Sequence, residues 1–412
     1  MMTTEGKLTL SKHCRMMTIC GIKMIGNIAT GGFIGLDQEG EDFIRYLYNN
    51  KELDVEGLTQ NTMMLLQALH DSGCFSHTDP EVRVGSAYLH VTSHCNLQCP
   101  GCYSIEADRN TKTDMTLNQV KSIIDRLATI GVQKLVISSG EPFLRSDLLH
   151  IIRYAKEEAG MTGVACITNG LAPMESYRKA GKYLDRLAFS LDSHNEASAV
   201  IRPAHIVAPM LDKIRELKKV GVPVSIIFTL HKVNFDHMGE MEALAYSMGV
   251  PFNFSVLSVA KVDKHTAHLV LEDTHFDHMR DEITAGKGDV LSDIEALGNE
   301  LICKPLCGAG RKTISISSDG GVYPCHMFNG YHEFYIGNAL TDDIDILLRG
   351  IGNTFGHMTV DDIEGCAECN VSYLCGGGCR FRGYAATGAT NCCDTMCRVA
   401  YANVEHGITR LM

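Results

Sequence analysis

The sequence predicts an α/β fold in three parts: a small N-terminal unit, a central parallel sheet with helices, and a cysteine-rich C-terminal segment. Three observations lead to this division. Apolar and polar residues alternate on both sides of Gly31 and Gly32, and strand-like and helix-like segments then alternate from 84 to 290. Most of the 17 cysteines fall either in one early loop or after residue 302. At 412 residues the chain has room for two or three such parts.

Composition and charge limit the kinds of partner. The formal net charge of -12 argues against a nucleic-acid binder and against an anionic membrane surface. No run of about 18 uncharged apolar residues occurs, and the first residues carry scattered charges, so we predict no membrane span and no signal peptide. Many cysteines in an intracellular chain indicate metal binding or chemistry rather than disulfides. We therefore expect a cytoplasmic protein.

The N-terminal unit, residues 1–83, is predicted to contain a β-hairpin followed by helices. The predicted strands are 23–30 and 32–37, and the predicted helices are 41–48 and 61–70. The hairpin follows from alternation around a Gly-containing turn, and the helices follow from apolar residues at helical spacing. Cys14, Cys20 and Cys74 have no ligand-like spacing, which predicts buried free thiols.

The central part, 84–290, alternates strands with helices. The predicted strands are 86–91, 133–138, 163–168, 186–191, 222–230 and 251–257. The predicted helices are 117–130, 148–158, 173–180, 209–220 and 235–248. Repeated βα units with such short strands imply a parallel sheet, and ligands then bind at the C-terminal ends of its strands. A mixed, mostly helical stretch is predicted for 263–301.

Three cysteines, Cys95, Cys99 and Cys102, follow the first of these strands with three and then two residues between them. Thiolates are soft ligands that suit iron–sulfur clusters, which usually take four of them. Three on one loop with no nearby fourth suggest one iron left open to a small molecule. The alternative is a zinc knuckle, which prefers paired CxxC units with further Cys or His ligands.

Small and polar residues follow the later strands. They are Ser139, Gly140, Glu141, Asn169, Ser190, Asp192 and Arg202. Glycine allows the backbone to approach a ligand, and a glutamate offers an acceptor to a bound ammonium. An arginine can bind both oxygens of a carboxylate.

Together these motifs resemble the radical S-adenosylmethionine (SAM) enzymes. The segment 138–142 resembles the family's Gly-Gly-Glu-Pro motif, with Ser138 and Ser139 in place of the usual residues before Gly140. In the family an aromatic residue more often precedes the last cysteine; here Gly101 occupies that place, and the aromatic Tyr103 follows Cys102. The resemblance implies an open partial (β/α)6 barrel, a SAM molecule on the open iron and a 5′-deoxyadenosyl radical. It also implies that Ser190 and Arg202 hold the SAM carboxylate, with the remaining strand-end residues around the cofactor.

The C-terminal cysteines, in 291–412, resemble the extension called SPASM, which implies two auxiliary [4Fe-4S] clusters and three clusters in all. The family's crossed ligation gives one set of Cys307, Cys325 and Cys379, with Cys303 as a possible fourth ligand. It gives a second set of Cys366, Cys369, Cys375 and Cys397. Cys393 is an alternative to Cys397, and two zinc sites in a ribbon-like fold are the alternative to clusters.

The N-terminal unit resembles the PqqD-like winged-helix recognition element that precedes enzymes modifying ribosomally made peptides. The resemblance implies that a leader peptide is added as a strand to the edge of the hairpin. A plain cap on the catalytic part is the alternative. A precursor peptide with a leader and a reducing protein such as flavodoxin or ferredoxin are the expected partners.

Several functions remain open at this point. A peptide maturase that installs a thioether, from a cysteine sulfur to a carbon, is favoured by the N-terminal unit and the cysteine array. Carbon–carbon cross-linking of a peptide is the second hypothesis. Sulfatase-type formylglycine formation is the third, although relatives of that type carry Asp where this chain has His326. An iron–sulfur electron carrier or a peptide-binding scaffold would not need the SAM-site residues.

Overall fold

A computed structural model describes residues 9–49, 58–79, 82–104, 109–259, 264–287 and 301–411. Within these residues the strands form two sheets. The smaller has three antiparallel strands, and the larger has nine strands, seven of which run parallel side by side. None of the helices in these ranges combines the length and the apolar character needed to cross a membrane.

The N-terminal unit is a three-stranded sheet covered by two helices. Its elements are β1 (Cys14–Ile19), β2 (Ile22–Asn27), β3 (Phe33–Leu36), α1 (Gln38–Asn49) and α2 (Gln60–Asp71). The predicted hairpin is β2 and β3, and both predicted helices are confirmed. The sequence analysis did not predict β1, because exposed Met16 and buried Met17 stand side by side and break a strict alternation.

The central part confirms the predicted partial barrel of βα units. Its strands are β4 (Ser86–Thr92), β5 (Lys134–Ser139), β6 (Gly163–Thr168), β7 (Arg186–Leu191), β8 (Val224–Leu230) and β9 (Phe252–Val256). Its helices are α3 (Leu117–Thr129), α4 (Leu148–Arg153), α5 (Met174–Ala180), α6 (Val207–Lys219) and α7 (Met238–Met248). The helix predicted for 148–158 changes after Arg153 into a π-helical turn, Tyr154–Glu158.

The C-terminal part contains short strands and helices. They are α8 (Asp273–Glu282), β10 (Thr313–Ile316), β11 (Gly321–Tyr323), β12 (Gly337–Asn338), α9 (Ile344–Arg349), α10 (Thr354–His357), α11 (Ser372–Cys375), α12 (Arg380–Thr387) and α13 (Cys397–Arg410). The predicted helical stretch includes α8, and its residues 288–300 lie outside the described ranges.

The cysteine-rich part extends the barrel sheet. Strand β10 pairs in parallel with β4, from Thr313 beside Ser86 to Ile316 beside Leu89. Strands β11 and β12 then add antiparallel neighbours, so the sheet order is β12-β11-β10-β4-β5-β6-β7-β8-β9. The edge of β4 is therefore covered by the chain itself.

The N-terminal unit shares an apolar core with the C-terminal part. We call this cluster the shared core; its buried members are Met17, Ile19, Met24, Ile28, Cys303, Val371, Leu374, Val404 and Ile408. Polar contacts add to it, since Asn370 Nδ2 donates to the carbonyl of Thr18 at 3.0 Å and Arg15 Nε donates to Tyr373 Oη at 3.0 Å. The unit is thus packed against the cysteine array. Its predicted boundary at 83 and the one at 290 remain predictions.

Candidate active site

The three-cysteine loop begins where β4 ends and faces a cavity of about 1420 Å³. The backbone N–H of Leu97 donates to Cys95 Sγ at 3.4 Å, and Arg109 Nη1 lies 3.9 Å from Cys102 Sγ. Burial raises the pKa of the Cys99 thiol, so a bound cation is needed to favour its thiolate. Three sulfurs on one loop, with donors beside them, fit three ligands of an iron–sulfur cluster.

The backbone after β5 approaches this loop closely. The N–H of Gly140 donates to the carbonyl of Thr92 at 3.1 Å, and the N–H of Glu141 donates to the carbonyl of His94 at 2.8 Å. A Cβ on Gly140 would overlap the His94 carbonyl, so the position requires glycine. Ser139, directly before it, has φ of 105°, in the left-handed region that favours glycine.

Glu141 holds the ends of two strands together. Its carboxylate accepts hydrogen bonds from the N–H of Asn169 at 2.7 Å, the N–H of Phe143 at 3.1 Å and Thr168 Oγ1 at 2.8 Å. Burial raises the pKa of Glu141, and these three donors oppose the rise. In the structure the carboxylate is thus bonded to protein groups, and its predicted contact to a bound ammonium stays a prediction.

Asn169 directly follows β6, Ser190 is the second-last residue of β7, and both line the cavity. Asn169 Nδ2 donates to Asn96 Oδ1 at 2.8 Å and lies 4.0 Å from Cys95 Sγ. The predicted residue after β6 therefore contacts the cysteine loop directly. Ser190 lines the same cavity, where its hydroxyl can reach a bound molecule.

Asp192 is a buried residue that positions Arg202. Its Oδ2 accepts from the N–H of Val200 at 3.1 Å and of Ile201 at 2.7 Å, and Arg202 Nη1 lies 3.4 Å from Oδ1. Burial acts to raise the pKa of Asp192, but His231 and Arg202 outweigh it and the pKa is lowered. Among the described residues Arg202 Nε has no hydrogen-bond partner. This buried donor at the cavity wall fits the carboxylate of a bound SAM.

Two tyrosines and a histidine form another part of the cavity wall. The ring of His326 stacks on Tyr88 with centroids 4.1 Å apart and meets the edge of Tyr103 at 5.2 Å. Tyr103 Oη and Ser138 Oγ lie 2.7 Å apart. Burial lowers the pKa of His326 to about 4, so its imidazole is neutral near neutral pH. The sequence analysis missed Tyr88, whose only signal was its place on a strand leading to the cysteines.

Four C-terminal cysteines line the same cavity, Cys307, Cys325 and Cys379 of the first predicted set and Cys375 of the second. Burial raises the pKa of Cys325, and the neighbouring Cys379 and Cys307 thiols raise it further. Neighbouring buried thiols that oppose each other's ionisation need a cation to become thiolates. The structure thus brings together the three residues predicted for the first auxiliary set.

The second predicted set is also brought together. It consists of Cys366, Cys369, Cys375 and Cys397. Burial raises the pKa of Cys366 to about 12, with the other three thiols adding to the effect. The neighbouring Cys393 thiol likewise raises the pKa of Cys397, so either of the two could be the fourth ligand of the second set. No three His, Cys, Asp or Glu side chains in the described ranges are close enough together to hold a single ion.

Cys303 lies elsewhere. It is 1% exposed within the shared core, and its N–H donates to the carbonyl of Gly31 at 2.8 Å. A Cβ on Gly26 of β2 would lie 2.9 Å from Cys303 Sγ. The thiol therefore packs beneath the N-terminal sheet rather than with Cys307 and its two neighbours at the cavity. Cys20, predicted as a buried thiol, is instead exposed at the β1–β2 turn, whereas Cys14 and Cys74 are buried as predicted.

Comparison with protein families gives two matches. Residues 89–245 match the radical SAM superfamily, and residues 307–370 match SPASM, described as an iron–sulfur cluster-binding domain. The second match ends before Cys375, so three cysteines of the predicted sets, Cys375, Cys379 and Cys397, lie beyond it.

Relatives in other organisms cover most of the chain. A PqqA peptide cyclase from Granulibacter bethesdensis is 25% identical over 332 residues, 76% of this chain and 87% of the relative. An AdoMet-dependent heme synthase from Methanosarcina barkeri is 27% identical over 331 residues, 72% and 91% of the two chains. The crystal structure of Streptococcus suis SuiB bound to the precursor peptide SuiA has a TM-score of 0.58 and 16% identity. That similarity covers 94% of this chain and 99% of SuiB.

Proposed function

The chain is a radical SAM enzyme with a C-terminal SPASM domain, and on this premise we propose that it matures a ribosomally made precursor peptide. The reaction proposed is formation of a thioether between a cysteine sulfur and a carbon of the peptide. A peptide substrate is supported by the relative that is a peptide cyclase. The heme synthase among the relatives means that similarity alone does not decide the substrate.

The cofactors proposed are SAM and three [4Fe-4S] clusters. When bound, they supply a primary carbon radical that removes hydrogen from a C–H bond, chemistry that protein side chains cannot provide. Cys95, Cys99 and Cys102 would hold the first cluster, and the two C-terminal sets would hold the others. Arg202, positioned by Asp192, would bind the SAM carboxylate through its unpaired Nε and its Nη atoms.

The position of Cys303 is the observation that supports a thioether over the other reactions. With Cys303 in the shared core, the first auxiliary set has three cysteines at the cavity, and a fourth position is left for a thiolate from outside. A substrate cysteine bound there would be deprotonated, and its sulfur would face the same cavity as the three-cysteine loop. The cavity of about 1420 Å³ exceeds the roughly 300–1,000 Å³ usual for one small ligand, and SAM and the clusters proposed at its walls would occupy part of that volume.

Carbon–carbon cross-linking of a peptide is the second candidate, favoured by the cyclase relative. Formylglycine formation is less well supported, because His326 takes the place of the aspartate and its ring is held between Tyr88 and Tyr103. For the reducing partner we propose flavodoxin or ferredoxin. A cytoplasmic location is proposed as well, because thiol-bound clusters need a reducing compartment.

Mass spectrometry of a candidate peptide after anaerobic reaction tests the proposal. A thioether predicts a loss of two hydrogens with one thiol blocked to alkylation. The same loss with all thiols free would contradict the thioether and favour a carbon–carbon bond. Formylglycine would be recognised by an aldehyde that reacts with hydrazide.

A further inference from the structure

We propose that Asp394 is a positioning residue that holds the two auxiliary cysteine sets at a defined separation. The inference rests on the proposed function only in that both sets bind clusters. Asp394 stands three residues before Cys397 of the second set, and its carboxylate lies against Cys379 of the first set. A single residue therefore contacts a ligand of each set, Cys379 through its carboxylate and Cys397 through its backbone carbonyl.

The contacts are made through backbone amides. Asp394 Oδ2 accepts from the N–H of Cys379 at 2.7 Å, and Oδ1 accepts from the N–H of Met396 at 3.0 Å. The carbonyl of Asp394 also accepts from the N–H of Cys397 at 3.0 Å. A shift of this residue would move the two cysteine Cα positions relative to each other, because both amides are bonded to it.

A buried arginine fixes the carboxylate itself. Arg382 Nε donates to Oδ1 and Nη2 donates to Oδ2, both at 2.8 Å, and both side chains are nearly inaccessible to solvent. The planar guanidinium determines where both oxygens lie, which a lysine could not do. Since Arg382 follows Cys379 on α12, the pair also ties the helix after the first set to the segment before the second.

The backbone is shaped to let Asp394 approach. Gly378 has φ of 67°, and a Cβ there would lie 2.5 Å from the Cβ of Asp394. Beside it, Arg380 Nη1 donates to the carbonyl of Cys392 at 2.8 Å. These contacts hold segment 392–396 against segment 378–382 independently of the carboxylate.

The test compares Asp394→Asn and Asp394→Glu with the exposed control Asp345→Asn in full-length, anaerobically reconstituted protein. Asn loses the paired charge, so we expect loss of iron and sulfide from both auxiliary sets. The electron paramagnetic resonance signal that responds to SAM should remain, because the three-cysteine loop lies outside these contacts. Glu keeps the charge but alters the geometry, so we expect normal iron content and shifted reduction potentials of the auxiliary clusters. If the carboxylate only balanced charge, those potentials would not shift.

A third variant covers the possibility that Asp394→Asn fails to fold. Gly378→Ala leaves the ion pair in place but pushes Asp394 away, and it should shift the same potentials. Wild-type iron content, spectra and potentials in all three variants would overturn the inference. If the wild-type protein binds no auxiliary clusters, both the inference and the proposed cluster content are overturned. If the reduction potentials shift as expected but no thioether forms, only the proposed function is overturned.

Discussion

Ser139 adopts a backbone conformation at the cysteine loop that glycine reaches without steric cost. Ser139→Gly should raise the free energy of unfolding, since relief of about 1–2 kcal/mol of left-handed strain exceeds about 0.5–1 kcal/mol of added backbone entropy. Denaturant unfolding of the anaerobic protein measures this. The control Ser138→Gly, at a position without positive φ, should be destabilising. Equal stability of the Ser139→Gly variant and the wild type would show that the strain is relieved in another way.

We expect SAM cleavage to depend on the three-cysteine loop. Cys99→Ala removes one of the three proposed cluster ligands and should abolish formation of 5′-deoxyadenosine, measured by chromatography after reduction with dithionite. Cys20→Ser, at an exposed turn, is the matched control and should leave cleavage unchanged. Continued cleavage by purified Cys99→Ala protein would refute the assignment of the loop.

Arg202 is expected to bind the SAM carboxylate through two nitrogens. Arg202→Lys keeps the charge but loses the paired geometry, so SAM affinity should fall about 10- to 100-fold, equivalent to about 1.5–3 kcal/mol for charged hydrogen bonds. Equilibrium binding of SAM to the reconstituted protein checks this. Arg215→Lys, half exposed beside Asp212, is the control. An unchanged dissociation constant for Arg202→Lys would place the carboxylate elsewhere.

Sequence reasoning selects residues by chain position, such as Asn169 and Asp192 directly after strands, but it does not give their contacts. Asp192, predicted beside the cofactor, is instead buried against Arg202 and does not line the cavity, because its carboxylate accepts from backbone amides and pairs with that arginine.

Sequence reasoning does not identify Tyr88 at the cavity or Asp394 between the two sets. Both depend on tertiary contacts that residue spacing does not reveal: Tyr88 stacks on His326 from a distant part of the chain, and Asp394 pairs with Arg382, 12 residues before it. Cys303 shows the same limit, because spacing suggests a ligand while tertiary packing places the thiol in an apolar core.

At the scale of elements, long periodic segments were predictable and short ones were not. Strands β6 and β7 have the predicted bounds, because a mostly apolar run ends at Thr168 in β6 and immediately before Asp192 in β7. Strands β10 to β12 have two to four residues, too few to show a period. Their conformation depends on the β4 edge beside them, which sequence alone does not place.

Strand β1 packs against the C-terminal part, so the N-terminal unit shares a buried core with the rest of the protein. Ile19 is fully buried in the shared core. Ile19→Ala should destabilise the protein by about 2–5 kcal/mol and make residues 9–49 more susceptible to limited proteolysis. Ile346→Ala, at a side chain 69% exposed, is the control and should have little effect. Unchanged proteolysis of Ile19→Ala would mean that the unit is held by its polar contacts alone.

The shared core also affects how leader binding is tested. Deleting residues 1–83 would expose Val371 and Leu374 beside the second cysteine set, so loss of peptide binding could follow from damage to that set. Point substitutions on the exposed face of the unit, such as Met16→Asp on β1, avoid this. Iron content should then stay at the wild-type level whether or not leader affinity falls.

For the whole molecule, we expect bound metal to contribute to folding mainly at the C-terminal end. Removing iron with a chelator under anaerobic conditions should increase proteolysis within 303–397, because the cysteine sets are expected to supply much of the stability of that segment. Strands β4 to β9, with a large apolar core, should stay protected. Protection measured by hydrogen exchange distinguishes the two regions, and equal loss in both would show that the cysteine-rich part and the barrel unfold as one unit.

The ladder between β10 and β4 has a consequence for the products that the enzyme can make. Strand β10 pairs with β4, the strand before the three-cysteine loop, and also with β11, the strand before Cys325. Because these strands are joined in one sheet, we expect a constant distance between the hydrogen removal and the sulfur attachment that we propose. A substrate must bridge that gap, and we expect accepted peptides to share a narrow range of ring sizes even when their side chains differ.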